Sequence, residues 1–241
     1  MNPATHRPWP LPDRPWVMRM RWCDLLFAHW AVHPAVLRQL IPKGMAIDLF
    51  NGQAYVGVVP FLMENLSPRL LPSVPGLDAF PELNLRTYVT VNGKPGVWFF
   101  SLDAGQKLAV RIARTLFHLP YFDATFQIRR LANDEYHYHS RRAHTNAAFT
   151  AQYRPTGPIY QSQPGTLDAW LTERYCLYAA NAHGRIYCGE IDHQQWPLQP
   201  AEAEIETNTL GEAFGIELVG PPATLHFAKS LDVHAWLLER A

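Results

Sequence analysis

Two Asn-Gly pairs constrain this chain more than any other feature. Asn51-Gly52 and Asn92-Gly93 each separate runs of apolar, strand-like residues. Both residues of such a pair tolerate the positive φ that a two-residue hairpin turn needs, so each pair marks two antiparallel strands. The first turn is expected to join residues 45–50 to 54–63, and the second to join 84–91 to 96–102. Within the second hairpin, Val97-Trp98-Phe99-Phe100 is apolar on both faces, which predicts a central strand.

Short alternating segments continue beyond Pro120, at 122–131, 135–142 and 147–153. Residues 175–180 and 185–192 flank Asn181-Ala182-His183-Gly184 as a further hairpin, and closing strands are expected near 203–207, 224–228 and 233–238. Helices are expected at 33–40, with Pro34 in the first turn and Pro42 as the stop, at 103–118 capped by Asp103, at 166–173, and briefly at 210–214. In the 103–118 segment Leu108, Ile112, Leu116 and Leu119 share one face, while Lys107, Arg111, Arg114 and His118 form a basic row. About a dozen strands with few helices predict a mainly β, α+β fold. A closed antiparallel barrel or a double sheet follows, because open edges at this strand count invite aggregation.

Composition bounds the partners. The chain of 241 residues is 48% apolar and 12% aromatic, enough for a substantial core. Lys+Arg and Asp+Glu balance at 21 each, so no broad positive field draws the chain to nucleic acid or anionic lipid. Three cysteines, Cys23, Cys176 and Cys188, lack metal spacing and suit a reducing compartment. No apolar stretch resembles a signal peptide or a membrane span, so the expected location is cytoplasmic. The proline-rich residues 1–15 are read as an N-terminal extension and 16–241 as one domain.

Several kinds of chemistry find no motif. The histidines His29, His33, His137, His139, His144, His183 and His193 form no zinc signature, and neither metal nor cofactor is expected. G-x-S-x-G and phosphate-binding glycine loops are absent. What remains is the stretch 80–88, where Glu82, Asn84, Arg86 and Tyr88 recur at period two and share one strand face. Facing solvent, this row is an ordinary wet surface; facing a cavity, it is a lining that orients a small polar ligand.

Several separated motifs occur in order: Glu82-Leu-Asn-Leu-Arg-Thr-Tyr-Val, Gly96-Val-Trp-Phe-Phe-Ser-Leu-Asp-Ala, Ala113-Arg114 before Leu119-Pro120-Tyr121, and Leu171-Thr-Glu-Arg-Tyr-Cys-Leu-Tyr178. Together they resemble the YqjF-like uncharacterised proteins, a branch of the acetoacetate decarboxylase superfamily, over nearly the whole chain. The resemblance implies a β-barrel-like fold with an internal pocket and frequent oligomerisation, leaving a homo-oligomer open. It implies that Glu82 lines the pocket, and that Arg114 matches an arginine preceding the decarboxylase's own apolar-Pro step. The Schiff-base lysine that follows that proline in the decarboxylase is replaced here by Tyr121-Phe122. A phenol cannot form an imine, so decarboxylation by that route is not expected. The arginine expected on the first strand is replaced by Ala31, with His29 and His33 nearby. Only four lysines occur, Lys43, Lys94, Lys107 and Lys229, and Lys107 belongs to the basic helix row.

The expected function is therefore a small-molecule pocket, belonging to an enzyme that acts on a carboxylate- or carbonyl-bearing metabolite by acid/base chemistry, or alternatively to a non-catalytic binding protein. Glu82 and Tyr121 are the catalytic candidates. Arg86, Tyr88, Asn84, Arg114 and His29 are the substrate-binding candidates. A third reading is an interaction protein with exposed aromatic residues.

Overall fold

The computed structural model describes residues 6–73, 76, 78–106 and 117–241. The described residues form thirteen strands: β1 (Met18–Val32), β2 (Ala46–Ile47), β3 (Ala54–Pro68), β4 (Phe80–Val91), β5 (Lys94–Ala104), β6 (Tyr121–Arg130), β7 (Tyr136–Arg142), β8 (Ala148–Pro155), β9 (Cys176–Ala180), β10 (Ile186–His193), β11 (Leu198–Asn208), β12 (Thr224–Ala235) and β13 (Glu239–Arg240). Two short helices join them, α1 (Pro34–Arg38) and α2 (Leu167–Thr172), with 3-10 turns at Ala132–Asp134 and Glu212–Phe214. Among the described residues no helix is long and apolar enough to cross a membrane.

The strands close twice. Nine of them form one ring in the order β4-β5-β6-β7-β8-β11-β12-β1-β3 and back to β4. The pairings are antiparallel except between β5 and β6, where Leu102 lies beside Tyr121. A second ring shares β12, β1, β3, β4 and β5 and is completed by β9 and β10: β9 runs parallel to β5 at Val97 and Leu177, and β10 meets β12 at Ile191 and Ala235. The result is a mixed barrel with a smaller ring fused along one side.

Sharing five strands means that both faces of those strands are buried. Side chains alternate along a strand. On β4, Leu83 and Leu85 point into the nine-strand ring, where they join Phe100, Tyr138, Phe149 and Phe227. The even-numbered residues point the other way, into the second ring with Phe61, Met63 and Phe80. The face that carries polar residues is therefore an interior face.

Local signals explain several elements. Asn92 and Gly93 adopt φ of 50° and 80° and close the β4–β5 hairpin as the sequence predicts. Asn51-Gly52 also makes its turn, bridging Phe50 to Gln53. The strand before that turn, however, pairs with β4, Ala46 opposite Thr90, because β3 already has β1 on one edge and β4 on the other. His33 caps α1 through its Nδ1, 3.2 Å from the Ala35 amide, and Thr166 caps α2.

Two expectations are corrected. Asp103 does not cap a helix: it continues β5 opposite Leu83, and its buried carboxylate accepts from Arg142 Nε at 2.7 Å. Residues 107–116 of the expected helix, Arg114 and Lys107 among them, lie outside the described residues. The two closing strands are a single strand, β12, whose middle residues Ser230, Leu231 and Asp232 pair with Cys23, Trp22 and Arg21 of β1.

Candidate functional site

A cavity of about 360 Å³ occupies the second ring. All seven strands of that ring contribute to its wall. β4 supplies Glu82, Asn84 and Arg86; β6 adds Tyr121, the end of α2 adds Thr172, and the link to β9 adds Arg174. The rest is largely apolar, including Trp22, Phe61, Met63 and Phe99. No lysine is among the described lining residues.

Strand register brings the first pair of polar groups together. Asn84, Leu102 and Tyr121 lie in one row across β4, β5 and β6, with Glu82 in the next row. Tyr121 can therefore reach across, and its hydroxyl donates to Glu82 Oε2 at 3.1 Å. Glu82 is 3% exposed. Burial pushes its carboxyl up to about 8, Asp103 adds to the rise, and the Tyr121 hydrogen bond opposes it. Burial, and then Glu82, hold the Tyr121 phenol well above its ordinary range. At neutral pH the pair is thus mostly a neutral carboxylic acid beside a neutral phenol. Tyr138 approaches from the nine-strand ring and donates to the Glu82 carbonyl at 2.8 Å, pinning the backbone there.

The other end of the β4 row is cationic. The Arg86 guanidinium lies 5.1 Å from the Phe27 ring centroid and 5.7 Å from that of Tyr88, and it faces no carboxylate among the described residues. Its Nη2 makes long contacts to the Tyr88 hydroxyl at 3.4 Å and the Leu171 carbonyl at 3.5 Å, and its buried Nε has no partner. Arg174 packs over the same Tyr88 ring at 4.8 Å. Its Nη1 donates to Asp48 at 2.6 Å, while its Nη2 is buried and unpartnered. Burial lowers the Arg174 pKa, and Asp48 opposes that shift. Of the two guanidinium groups at this end, only Arg174 is paired with a carboxylate, Asp48, among the described residues.

Tyr88 and His29 support the wall without lining it. Both are fully buried, and His29 Nε2 lies 2.7 Å from the Tyr88 hydroxyl. Burial, followed by Arg86 and His226, holds His29 well below the ordinary histidine range, so the ring is neutral. Of the sequence-derived candidates, Glu82, Tyr121, Asn84 and Arg86 face the cavity together; Tyr88 and His29 stand behind Arg86, and Arg114 lies outside the described residues. Asn84 Oδ1 is buried without a donor.

Sequence reasoning missed Arg174 and His193. Burial pushes His193 down to about 4, and its two ring nitrogens face the carbonyls of Gln194 and Arg174. Arg174 lies in the motif Leu171–Tyr178, but in the link between α2 and β9, where no periodicity signals direction. Its placement depends on Asp48, far away in sequence. Among the described residues no three His, Cys, Asp or Glu side chains group as metal ligands.

The double ring is the fold of acetoacetate decarboxylase-like proteins. A solved acetoacetate decarboxylase-like enzyme from Sphingomonas wittichii superposes with a TM-score of 0.67 at 15% identity, covering 99% of this chain and 98% of that one. The enduracididine biosynthesis enzyme MppR, solved in complex with pyruvate, gives a TM-score of 0.66 at 12% identity, covering 94% and 91%. Within that fold the chain belongs to the DUF2071 family of uncharacterized conserved proteins, which matches residues 19–232. It is 47% identical over 230 residues to the uncharacterized protein YqjF of Bacillus subtilis, covering 95% of each chain.

Proposed function

We propose that the second-ring cavity binds a small carboxylate-bearing metabolite and acts on it by proton transfer, with no covalent lysine intermediate. The observation that carries this reading is the pairing of opposite chemistries on one strand. Arg86, with no carboxylate partner among the described residues, lies four residues from a carboxylic acid that burial keeps mostly protonated at neutral pH. The Arg86 guanidinium is half-buried with its Nε unpartnered, and a ligand carboxylate would supply both a counter-ion and an acceptor. That contact would hold the reacting part of the ligand toward Glu82 and Tyr121. Protonated Glu82 would then give or recover a proton while the Tyr121 hydroxyl donates to oxygen as charge develops. A pKa near the working pH suits an acid that must also act as a base. The pyruvate complex of MppR, a protein of like fold, supports the choice of ligand class.

The test is a thermal-shift screen of oxo and hydroxy acids with the full chain, Glu82→Gln and Tyr121→Phe, followed by NMR of each ligand that binds. Conversion by the wild type and a loss of about 100-fold or more in Glu82→Gln is expected. Full turnover by Glu82→Gln defeats the assignment, and binding without conversion makes the protein a carrier or sensor.

A further inference from the structure

We infer that the cavity takes an amphipathic monocarboxylate, a carboxyl head with an extended apolar tail, in preference to a short oxo acid of pyruvate size. This rests on the carboxylate reading above and names the part of the ligand that reading leaves open.

Three observations carry it. The first is size. At roughly 30 Å³ for each water in the liquid, a cavity of about 360 Å³ holds the equivalent of about a dozen waters, well beyond what a three-carbon acid displaces. The second is the distribution of chemistry along the wall. From Arg86 to Phe80 the β4 wall runs six residues, about 20 Å at the usual rise of a strand. Its polar groups stop at Glu82. Beyond Glu82 come Phe80, Met63 opposite it on β3, then Met20, Met18 and Leu66. These side chains offer a tail no hydrogen-bonding group, and apolar walls of this kind leave water poorly held. The third is charge. The cationic groups of the wall gather at the Tyr88 end, where Arg174 pairs with Asp48 and Arg86 has no carboxylate partner among the described residues. A single anionic head therefore has one place to go, and the tail is directed past Glu82 and Tyr121 to the methionine-rich end. Methionine suits a tail of variable shape, because its unbranched thioether fills irregular space.

Isothermal titration of the full chain with pyruvate and with straight-chain monocarboxylates from four to twelve carbons tests this, with decanol as the headless control. Affinity is expected to rise with chain length, by up to about fourfold for each buried methylene, and to level off once the cavity is full. Decanol should bind far more weakly than decanoate. Met20→Trp, which fills the far end, should lower affinity for decanoate and leave butanoate unchanged. Affinity that is flat or falls from pyruvate to decanoate overturns the tail and leaves the carboxylate site standing. Arg86→Gln binding every acid as the wild type does defeats the carboxylate site itself, and with it the inference. Absence of binding by every acid defeats both.

Discussion

The Tyr121 hydroxyl donates to the buried Glu82 Oε2 at 3.1 Å across two strand boundaries. The contact joins the first residue of β6 to the acid that begins the polar row of β4. Its electrostatic consequence is that Glu82 holds its proton up to about pH 8, against an ordinary value of 4.5.

The contribution of Glu82 to stability should therefore fall as pH rises. The folded state binds this proton more tightly than the unfolded chain does, so the contribution is complete below pH 4.5 and declines through pH 8, with a slope approaching 1.4 kcal/mol per pH unit, an order-of-magnitude figure. Asp103, raised to about 6 mainly by burial, declines in the same direction at lower pH. His29, His193 and His226, held low by burial, contribute more stability as pH rises through the ordinary histidine range, so the Glu82 contribution is read as the difference between wild type and Glu82→Gln. In urea denaturation from about pH 6.5 to 8, the stability of the wild type relative to Glu82→Gln should decline. Parallel profiles would mean that Glu82 is ionised in the folded protein.

Tyr121→Phe removes the donor and keeps the ring. The variant should fold and lose about 1–3 kcal/mol in urea denaturation, the cost of a buried acceptor deprived of its partner. Ligands found for the wild type should bind it more weakly. Unchanged stability together with unchanged binding would make the hydrogen bond incidental.

The polar row of β4 is legible in the sequence because strand side chains alternate by local geometry, so Glu82, Asn84 and Arg86 share a face in any fold that makes 80–91 a strand. Which interior that face enters is not legible. It depends on β9 running parallel to β5 and on β10 meeting β12, pairings between residues tens of positions apart. The break expected in β12 shows the same limit: Lys229-Ser230 and Asp232 read as a polar interruption, but β1 lies alongside to pair with them. Asp103 carries a capping signal that a buried arginine outweighs. Arg174 is placed by Asp48 and the Tyr88 ring, contacts that no spacing in the chain announces.

Arg86→Met should separate binding from stability. The substitution keeps the packing against Phe27 and Tyr88 and removes a charge that no carboxylate balances. Stability should be little changed, since the half-buried guanidinium has no carboxylate partner among the described residues to lose. Carboxylate binding should fall by at least tenfold in titration calorimetry. A variant that is strongly destabilised would show that Arg86 has a structural partner in solution.

Gly57 offers a test of the support behind Arg86. It lies between the two groups in register, opposite His29 on β1 and opposite Arg86 on β4. A Cβ there would come within 2.9 Å of His29 Nε2 and 3.0 Å of its Cδ2, so the ring would have to move. The ring has little room, because it is fully buried and stacks on Phe27. Gly57→Ala should therefore break the 2.7 Å contact between His29 and the Tyr88 hydroxyl, costing about 1–3 kcal/mol by overpacking. Tyr88 also touches Arg86, so carboxylate affinity should fall with stability. Tyr88→Phe, which removes the hydroxyl and adds no bulk, should reproduce the loss of affinity with less loss of stability. If Gly57→Ala binds carboxylates as the wild type does, the His29 and Tyr88 pair does not position the arginine.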